Sequence, residues 1–207
     1  AYFIKAPGFF PEMLMDIITL RKKYKQDLKN KEDAITKARS NAFKLLANAS
    51  YGYQGFFGAR YYCPEASAAT TSISRDFTRN TMDHINKKNF TVIYGDTDSI
   101  SLTLNKHSKK EALELLEEIN KTLPGIMELE LEDFYKRGIW VTKRTGEYGA
   151  KKKYALINEK NKLKIRGFET VRRNWCALAR ETQNKILRMI LENGNGKEAL
   201  AYVKDVI

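Results

Sequence analysis

The spacing of apolar and polar positions divides the chain into helical and strand-forming stretches. Pro11 suits a first helical position, and Leu14, Ile17, Ile18, Tyr24 and Leu28 form one stripe, predicting a helix over 11–29. After a short turn at Asn30-Lys31-Glu32, Asp33 can cap a second helix from Ala34 to about Ala49, with Ile35, Ala38, Ala42, Leu45 and Leu46 apolar. The two make an αα-hairpin. Tyr51–Gly58 reads as a Gly/aromatic connector, and Pro64 and Glu65 open a third helix to about Lys88. Phe90–Tyr94 and Ser99–Leu104 have the pattern of two β-hairpin arms. Ser108-x-x-Glu111 is a capping box for a helix ending near Lys121. Strand patterns follow at 127–134, 139–144, 153–158 and 163–167, with a turn at Gly146–Gly149. A helix over 174–192 stops at Asn193-Gly194-Asn195-Gly196, and another begins at Lys197. The order predicts an α+β fold: a helical hairpin, antiparallel strands with a helix across them, and closing helices.

Charge narrows the class of partner. The 207 residues carry a net charge of +12 with 43% hydrophobic residues, enough for a core and basic enough to favour a polyanion. Residues 1–63 hold 11 Lys/Arg against 5 Asp/Glu, and residues 136–188 hold 16 against 4. Residues 105–135 reverse the sign, 4 against 8. Two basic blocks thus flank the middle of the chain, which suits a nucleic acid or nucleotide. No basic stretch has the wide apolar face of a membrane-surface helix, and no apolar run is long enough to span a bilayer. Cys63 and Cys176 give neither a metal-ligand spacing nor a disulfide framework, which fits a reducing interior. The chain opens with Ala1 in the middle of a structured pattern, as a fragment or one piece of a larger protein would.

Between the basic blocks lies Tyr94-Gly95-Asp96-Thr97-Asp98-Ser99. In an extended backbone residues two apart share a face, so Asp96 and Asp98 are expected to converge at the hairpin tip. Two hard oxygen ligands are what Mg²⁺ takes when phosphates complete its shell. A solvated polar turn is the plain alternative. On the helical hairpin, Arg21 and Lys25 share one face, and Lys37, Asn41, Lys44 and Asn48 line another. Lys151, Lys152 and Lys153, if they enter a strand, present alternate ammonium groups to one side, within reach of successive phosphates.

These blocks together resemble family B DNA polymerases, most of all the archaeal branch. Lys44-Leu45-Leu46-Ala47-Asn48-Ala49-Ser50-Tyr51-Gly52 is similar to the fingers motif, Tyr94–Ser99 to the metal-binding motif of the palm, and Lys151-Lys152-Lys153-Tyr154 to the basic motif that grips primer-template DNA. Arg166-Gly167-Phe168-Glu169 with Arg172-Arg173-Asn174-Trp175 resembles the palm-to-thumb segment. The motifs occur in the family's order. The resemblance implies fingers over 1–50, the C-terminal part of the palm over 51–172 and the start of a thumb over 173–207. It makes Asp96 and Asp98 catalytic ligands of two Mg²⁺ ions, with Mn²⁺ as a substitute, and Glu132 a further acidic position beside them; Glu130 matches a second such position. It makes Arg21, Lys25, Lys44, Asn48 and Tyr51 the binders of an incoming deoxynucleoside triphosphate. Thr97, Lys151, Lys152, Lys153, Tyr154, Arg172 and Arg173 become contacts to primer-template DNA, and the expected location is cytoplasmic, with the nucleoid.

The chain departs from that pattern in places. Ala49 stands where the fingers motif commonly has Ser, and Asn174 where an Asp often precedes the Trp. Lys143–Ala150 reads longer than the tight hairpin of some relatives. No Asp-x-x-Ser-Leu-Tyr-Pro motif, the family's source of another palm aspartate, occurs in the sequence. The expected partner is therefore a chain or region carrying that aspartate and a proofreading exonuclease. The competing readings are a non-catalytic DNA-binding module derived from a polymerase, and a glycosyltransferase using Asp-x-Asp to hold a metal-nucleotide.

Overall fold

The computed structural model describes residues 2–31, 33–142 and 149–206. In chain order they form helices α1 (Phe9–Asn30), α2 (Ala34–Gln54) and α3 (Pro64–Lys87), strands β1 (Thr91–Asp96) and β2 (Ser99–Thr103), helix α4 (Lys109–Thr122), strands β3 (Tyr135–Thr142), β4 (Gly149–Asn158) and β5 (Leu163–Arg166), a 3₁₀ turn at Glu169–Val171, and helices α5 (Ala177–Asn193) and α6 (Gly196–Val206). The α+β class follows. The chain divides into two compact units, Ala1–Asp83 and His84–Ile207. No helix among the described residues is long and apolar enough to cross a membrane.

The first unit is built on the α1–α2 hairpin. Asp33 caps α2 as its position predicts: its carboxylate accepts the Thr36 N–H and hydroxyl, both at 2.8 Å. Tyr24 stacks on Phe43 with ring centres 5.7 Å apart and planes 12° from parallel, and the Arg39 guanidinium lies 5.8 Å over Tyr24. That stack sets the register of the two helices. Helix α2 runs on to Gln54, past the predicted end at Ala49, so Tyr51 and Gly52 are helical and not part of a connector. The Ser50 hydroxyl donates back to the Leu46 carbonyl at 2.9 Å, and the Gly55 N–H closes the last turn on the Tyr51 carbonyl. Neither α1 nor α2 buries a residue completely.

The second unit has two small cores. In one, Ile85, Phe90, Leu115 and Ile119 are buried, with Val92, Ile100 and Leu102 of the β1–β2 hairpin packed against them. The Ser108 hydroxyl accepts the Glu111 N–H, and the Glu111 carboxylate accepts the Ser108 N–H at 2.7 Å, which completes the predicted capping box of α4. In the other core, Ala155, Ile157, Phe168, Leu187 and Leu191 join the antiparallel sheet β3-β4-β5 to α5. Helix α5 ends at Gly194 in the left-handed region, φ 71°. The Arg137 guanidinium of β3 donates to the carbonyls of Ile190 and Leu191, where the helix dipole favours a cation.

The strand predicted over 127–134 is not one. Residues 127–134 pair with no strand among the described residues, and β3 starts only at Tyr135, four residues before its predicted start at 139. The segment is held by side chains instead. The Asn120 amide donates to the Leu129 carbonyl at 2.9 Å and accepts its N–H at 2.8 Å. Glu132 pairs with Lys164, and the Asp133 carboxylate accepts from Asn158 Nδ2 at 2.8 Å. Alternating acidic residues have the pattern of a strand, but the backbone of Leu129 is bonded to an asparagine side chain on α4. Residues 143–148, which include the end of one predicted strand and most of a predicted turn, lie outside the described residues.

Candidate active site

The hairpin owes its chemistry to a bulge. Val92 pairs with Leu102, but Tyr94 pairs with Ser101, Gly95 with Ile100 and Asp96 with Ser99, so β1 carries one residue more than β2. Paired residues share a face, and Ile100 and Leu102 face the core beside α4. Strict alternation would put Tyr94 and Asp96 on that core face with Val92. The extra residue turns both to the opposite side, with Ser99 and Ser101.

Asp96 ends β1, half-buried, and the two-residue turn Thr97-Asp98 closes the hairpin, with Thr97 left-handed at φ 54°. The expected convergence of Asp96 and Asp98 through an extended backbone is therefore corrected: Asp98 belongs to the turn, not to the strand. The Thr97 hydroxyl donates to Asp96 Oδ1 and the Ser99 hydroxyl to the Asp96 carbonyl, both at 3.1 Å. Asp98 is exposed, and neither aspartate has a cationic side-chain partner among the described residues.

On the far side of the bulge Tyr94 reaches the second sheet. Its ring lies 5.5 Å from that of Tyr154 and 6.4 Å from that of Trp140, and its hydroxyl accepts the Lys152 backbone N–H at 2.7 Å. Lys152 can offer that N–H because β4 is itself irregular. Trp140 pairs with Tyr154 but Thr142 pairs with Gly149, and Lys152 sits in the left-handed region at φ 59°. The expected alternation of three strand lysines is corrected accordingly. Lys152 is exposed, whereas the Lys153 ammonium lies 2.7 Å from Glu169 Oε1 and 5.2 Å from the centre of the Phe168 ring. Tyr154 sits among Tyr94, Trp140 and the Lys164 ammonium. Nothing is described for the Lys151 side chain.

Gly167 seals the other side of the bulge. Its φ is 68°, and a Cβ there would meet the Lys152 carbonyl oxygen at 2.0 Å. The next two residues, Phe168 and Glu169, take hold of Lys153. Glu169 Oε2 accepts from Gln183 Nε2 of α5 at 2.7 Å. The bonds from Lys153 and then Gln183 hold the Glu169 carboxyl down at about 2. Arg172 and Arg173 follow, exposed and without an ion-pair partner among the described residues.

In the first unit, Lys44, Asn48 and Tyr51 lie four and three residues apart on α2, all exposed, so they form one stripe. The Tyr24–Phe43 stack sets Lys44 between the levels of Arg21 and Lys25 of α1 along the hairpin. Glu132 is engaged by Lys164. Among the described residues no group of three His, Cys, Asp or Glu side chains is gathered as an ion would require, so Asp96, Asp98 and Glu132 do not form one.

Both basic blocks and the aspartate hairpin fall within one family match: residues 4–207 fit the model of DNA polymerase family B. The chain belongs to that family. It is 43% identical over 209 positions to the DNA polymerase of Thermococcus gorgonarius and 42% identical over 208 positions to DNA polymerase 1 of Pyrococcus abyssi. It is 41% identical over 209 positions to the DNA polymerase of Desulfurococcus sp. (strain Tok). Each alignment covers 97% of this chain and 26% of the relative, so this family B chain spans about a quarter of the length of these archaeal enzymes. The sequence pattern assigns no role to Phe168, Glu169, Trp140 or Gln183, which the structure sets around Lys153 and Tyr94. The invisible signal was a tertiary one, the bulge that brings Lys153, Glu169 and α5 together.

Proposed function

We propose that this chain supplies the fingers helices, the aspartate-bearing part of the palm and the start of the thumb of a DNA-directed DNA polymerase. One observation carries the reading: the hairpin that ends in Asp96 and Asp98 is bound to the basic strand through the Tyr94 hydroxyl and the Lys152 N–H, 2.7 Å apart. Family membership supplies the reaction class. Nucleotide addition is phosphoryl transfer, in which a protein mainly positions groups and offers positive charge. The two aspartates suit the task of holding Mg²⁺, or Mn²⁺ in its place, because their oxygens are hard ligands left uncommitted to any lysine or arginine among the described residues. A pair of such ions stabilises the attacking 3′ oxygen and the leaving pyrophosphate.

The remaining groups bind and orient. Arg21, Lys25 and Lys44 offer charge to the triphosphate of an incoming deoxynucleotide, the arginine as a fork and the lysines as point charges. Asn48 and Tyr51 continue the Lys44 stripe toward the nascent base pair. Thr97, Lys151, Lys152, Tyr154, Arg172 and Arg173 serve primer-template DNA, and Lys153 stands in the same basic motif with its ammonium on Glu169. Such backbone contacts give affinity without sequence preference. The active centre is completed by a palm aspartate from another chain or segment, which also brings the exonuclease domain. DNA as substrate implies a cytoplasmic, nucleoid-associated enzyme.

Primer extension with Mg²⁺, with and without a chain supplying the missing aspartate, tests the reading. Extension in the mixture alone supports it. DNA binding without extension in any mixture replaces it with a non-catalytic DNA-binding module, and turnover of a sugar nucleotide replaces it with a glycosyltransferase.

A further inference from the structure

The basic strand has an acidic partner that phosphate binding does not need. Lys153 and Glu169 meet at 2.7 Å with only 31% and 22% of their side chains exposed. The aromatic face of Phe168 lies 5.2 Å from the same ammonium. Glu169 has no oxygen to spare: one takes Lys153 and the other takes Gln183, whose own Oε1 accepts the Thr170 N–H at 2.7 Å. Thr170 in turn donates its hydroxyl to the Arg180 carbonyl at 3.0 Å. The carboxylate is thus fixed from the strand side and from α5, and its low pKa keeps it ionised at any working pH.

We propose that Glu169 is a positioning residue that competes with nucleic-acid phosphate for Lys153. It masks the ammonium, so the chain engages a duplex with one phosphate contact fewer than its basic motif offers. The inference rests on the polymerase reading and adds to it a control on the grip. Its physical basis is the exclusivity of the pair. The ammonium already holds a charge-assisted bond and a ring face, and transferring it to a phosphate would leave a partly buried carboxylate without its cation. Lys152, exposed one residue earlier, has no such restraint among the described residues.

The 207-residue chain bound to a primer-template duplex of mixed sequence, followed by fluorescence anisotropy over a salt series, decides the matter. Each phosphate neutralised contributes about 0.9 to the slope of log affinity against log salt. Glu169→Gln removes the charge at nearly constant volume. It should steepen the slope by about 0.9 and tighten binding several-fold at low salt. Adding Lys153→Ala to that variant should remove the gain. Glu169→Asp, which withdraws the oxygens by one methylene, should steepen the slope less, and it carries the test if thermal melting shows the Gln variant to be unfolded. An unchanged or shallower slope in the folded variants overturns the inference alone. A wild-type chain without salt-dependent duplex binding overturns the polymerase reading and the inference together.

Discussion

Asp98 lies in a two-residue turn and Asp96 on the last strand position, so the two carboxylates differ in freedom. Asp96 is held by the Thr97 hydroxyl on one oxygen and by its strand pairing with Ser99, whereas Asp98 is exposed and unbonded among the described residues. Replacing Asp98 by Ala should abolish Mg²⁺-dependent extension by the completed enzyme and leave duplex affinity within about two-fold, because phosphate contacts carry that affinity. Extension near the wild-type rate would remove Asp98 from the metal site. Gly167 is the second residue whose identity is dictated by its surroundings. An alanine there would be strained at φ 68° and would drive its Cβ to 2.0 Å from the Lys152 carbonyl oxygen. The bulge cannot yield freely, since its N–H is bound to Tyr94. We expect Gly167→Ala to lower stability on the order of 2–4 kcal/mol, the sum of a left-handed backbone penalty and an overpacking penalty. Urea unfolding checks this, and a midpoint equal to wild type would show that the bulge relaxes.

Among the elements, α4 and the segment behind it show how far local rules reach. The capping box of Ser108 and Glu111 is readable from two letters at the right spacing, as are the Asp33 cap and the Gly194 stop, because each satisfies backbone groups within a few residues of itself. Bonds first from the Ser108 backbone, then from its hydroxyl and from His107, lower the Glu111 pKa from 4.5 to about 2. A depressed carboxyl contributes its stability above its unfolded pKa and loses it as pH falls through the folded one. The helix should therefore weaken between about pH 4.5 and 2. Ser108→Ala should cost about 1 kcal/mol at neutral pH, as N-cap losses do, and flatten that acid limb. Circular dichroism over the acid range tests both. The 127–134 segment shows where local rules stop. Its acidic alternation is a genuine strand pattern, yet the backbone of Leu129 bonds to the side chain of Asn120, nine residues earlier. Asn120→Ala would leave the Leu129 N–H and C=O unsatisfied, at about 1–3 kcal/mol for each group that stays buried. Hydrogen exchange at Leu129 should then speed while the β3–β5 amides stay protected; equal protection at Leu129 would mean that packing alone holds the segment.

At the scale of the whole molecule, two features bear on the exposed apolar surface. The α1–α2 hairpin buries no residue fully, and Ile35, Leu45 and Leu46 of α2 stand 63, 69 and 52% exposed. The chain also spans about a quarter of its relatives. Amphipathic helices whose apolar positions stay in water have the pattern of a core whose other half lies elsewhere. Periodicity finds α1 because its stripe of Leu14, Ile17, Ile18, Tyr24 and Leu28 is half-buried, and it finds α2 because an apolar stripe is legible whether or not anything covers it. The two bulges and the Lys153–Glu169 pair left no comparable trace, since each depends on chain segments that meet only after folding. If a complementary chain covers the apolar stripe, binding must stabilise the fold by mass action, by about 2.7 kcal/mol when that chain is present at a hundred times its dissociation constant. The expected result is a melting temperature that climbs with partner concentration, together with a fall in the fluorescence of an apolar-surface dye. A melting curve indifferent to the partner, in a mixture that nonetheless extends primers, would mean that the two chains meet through DNA and not through this surface.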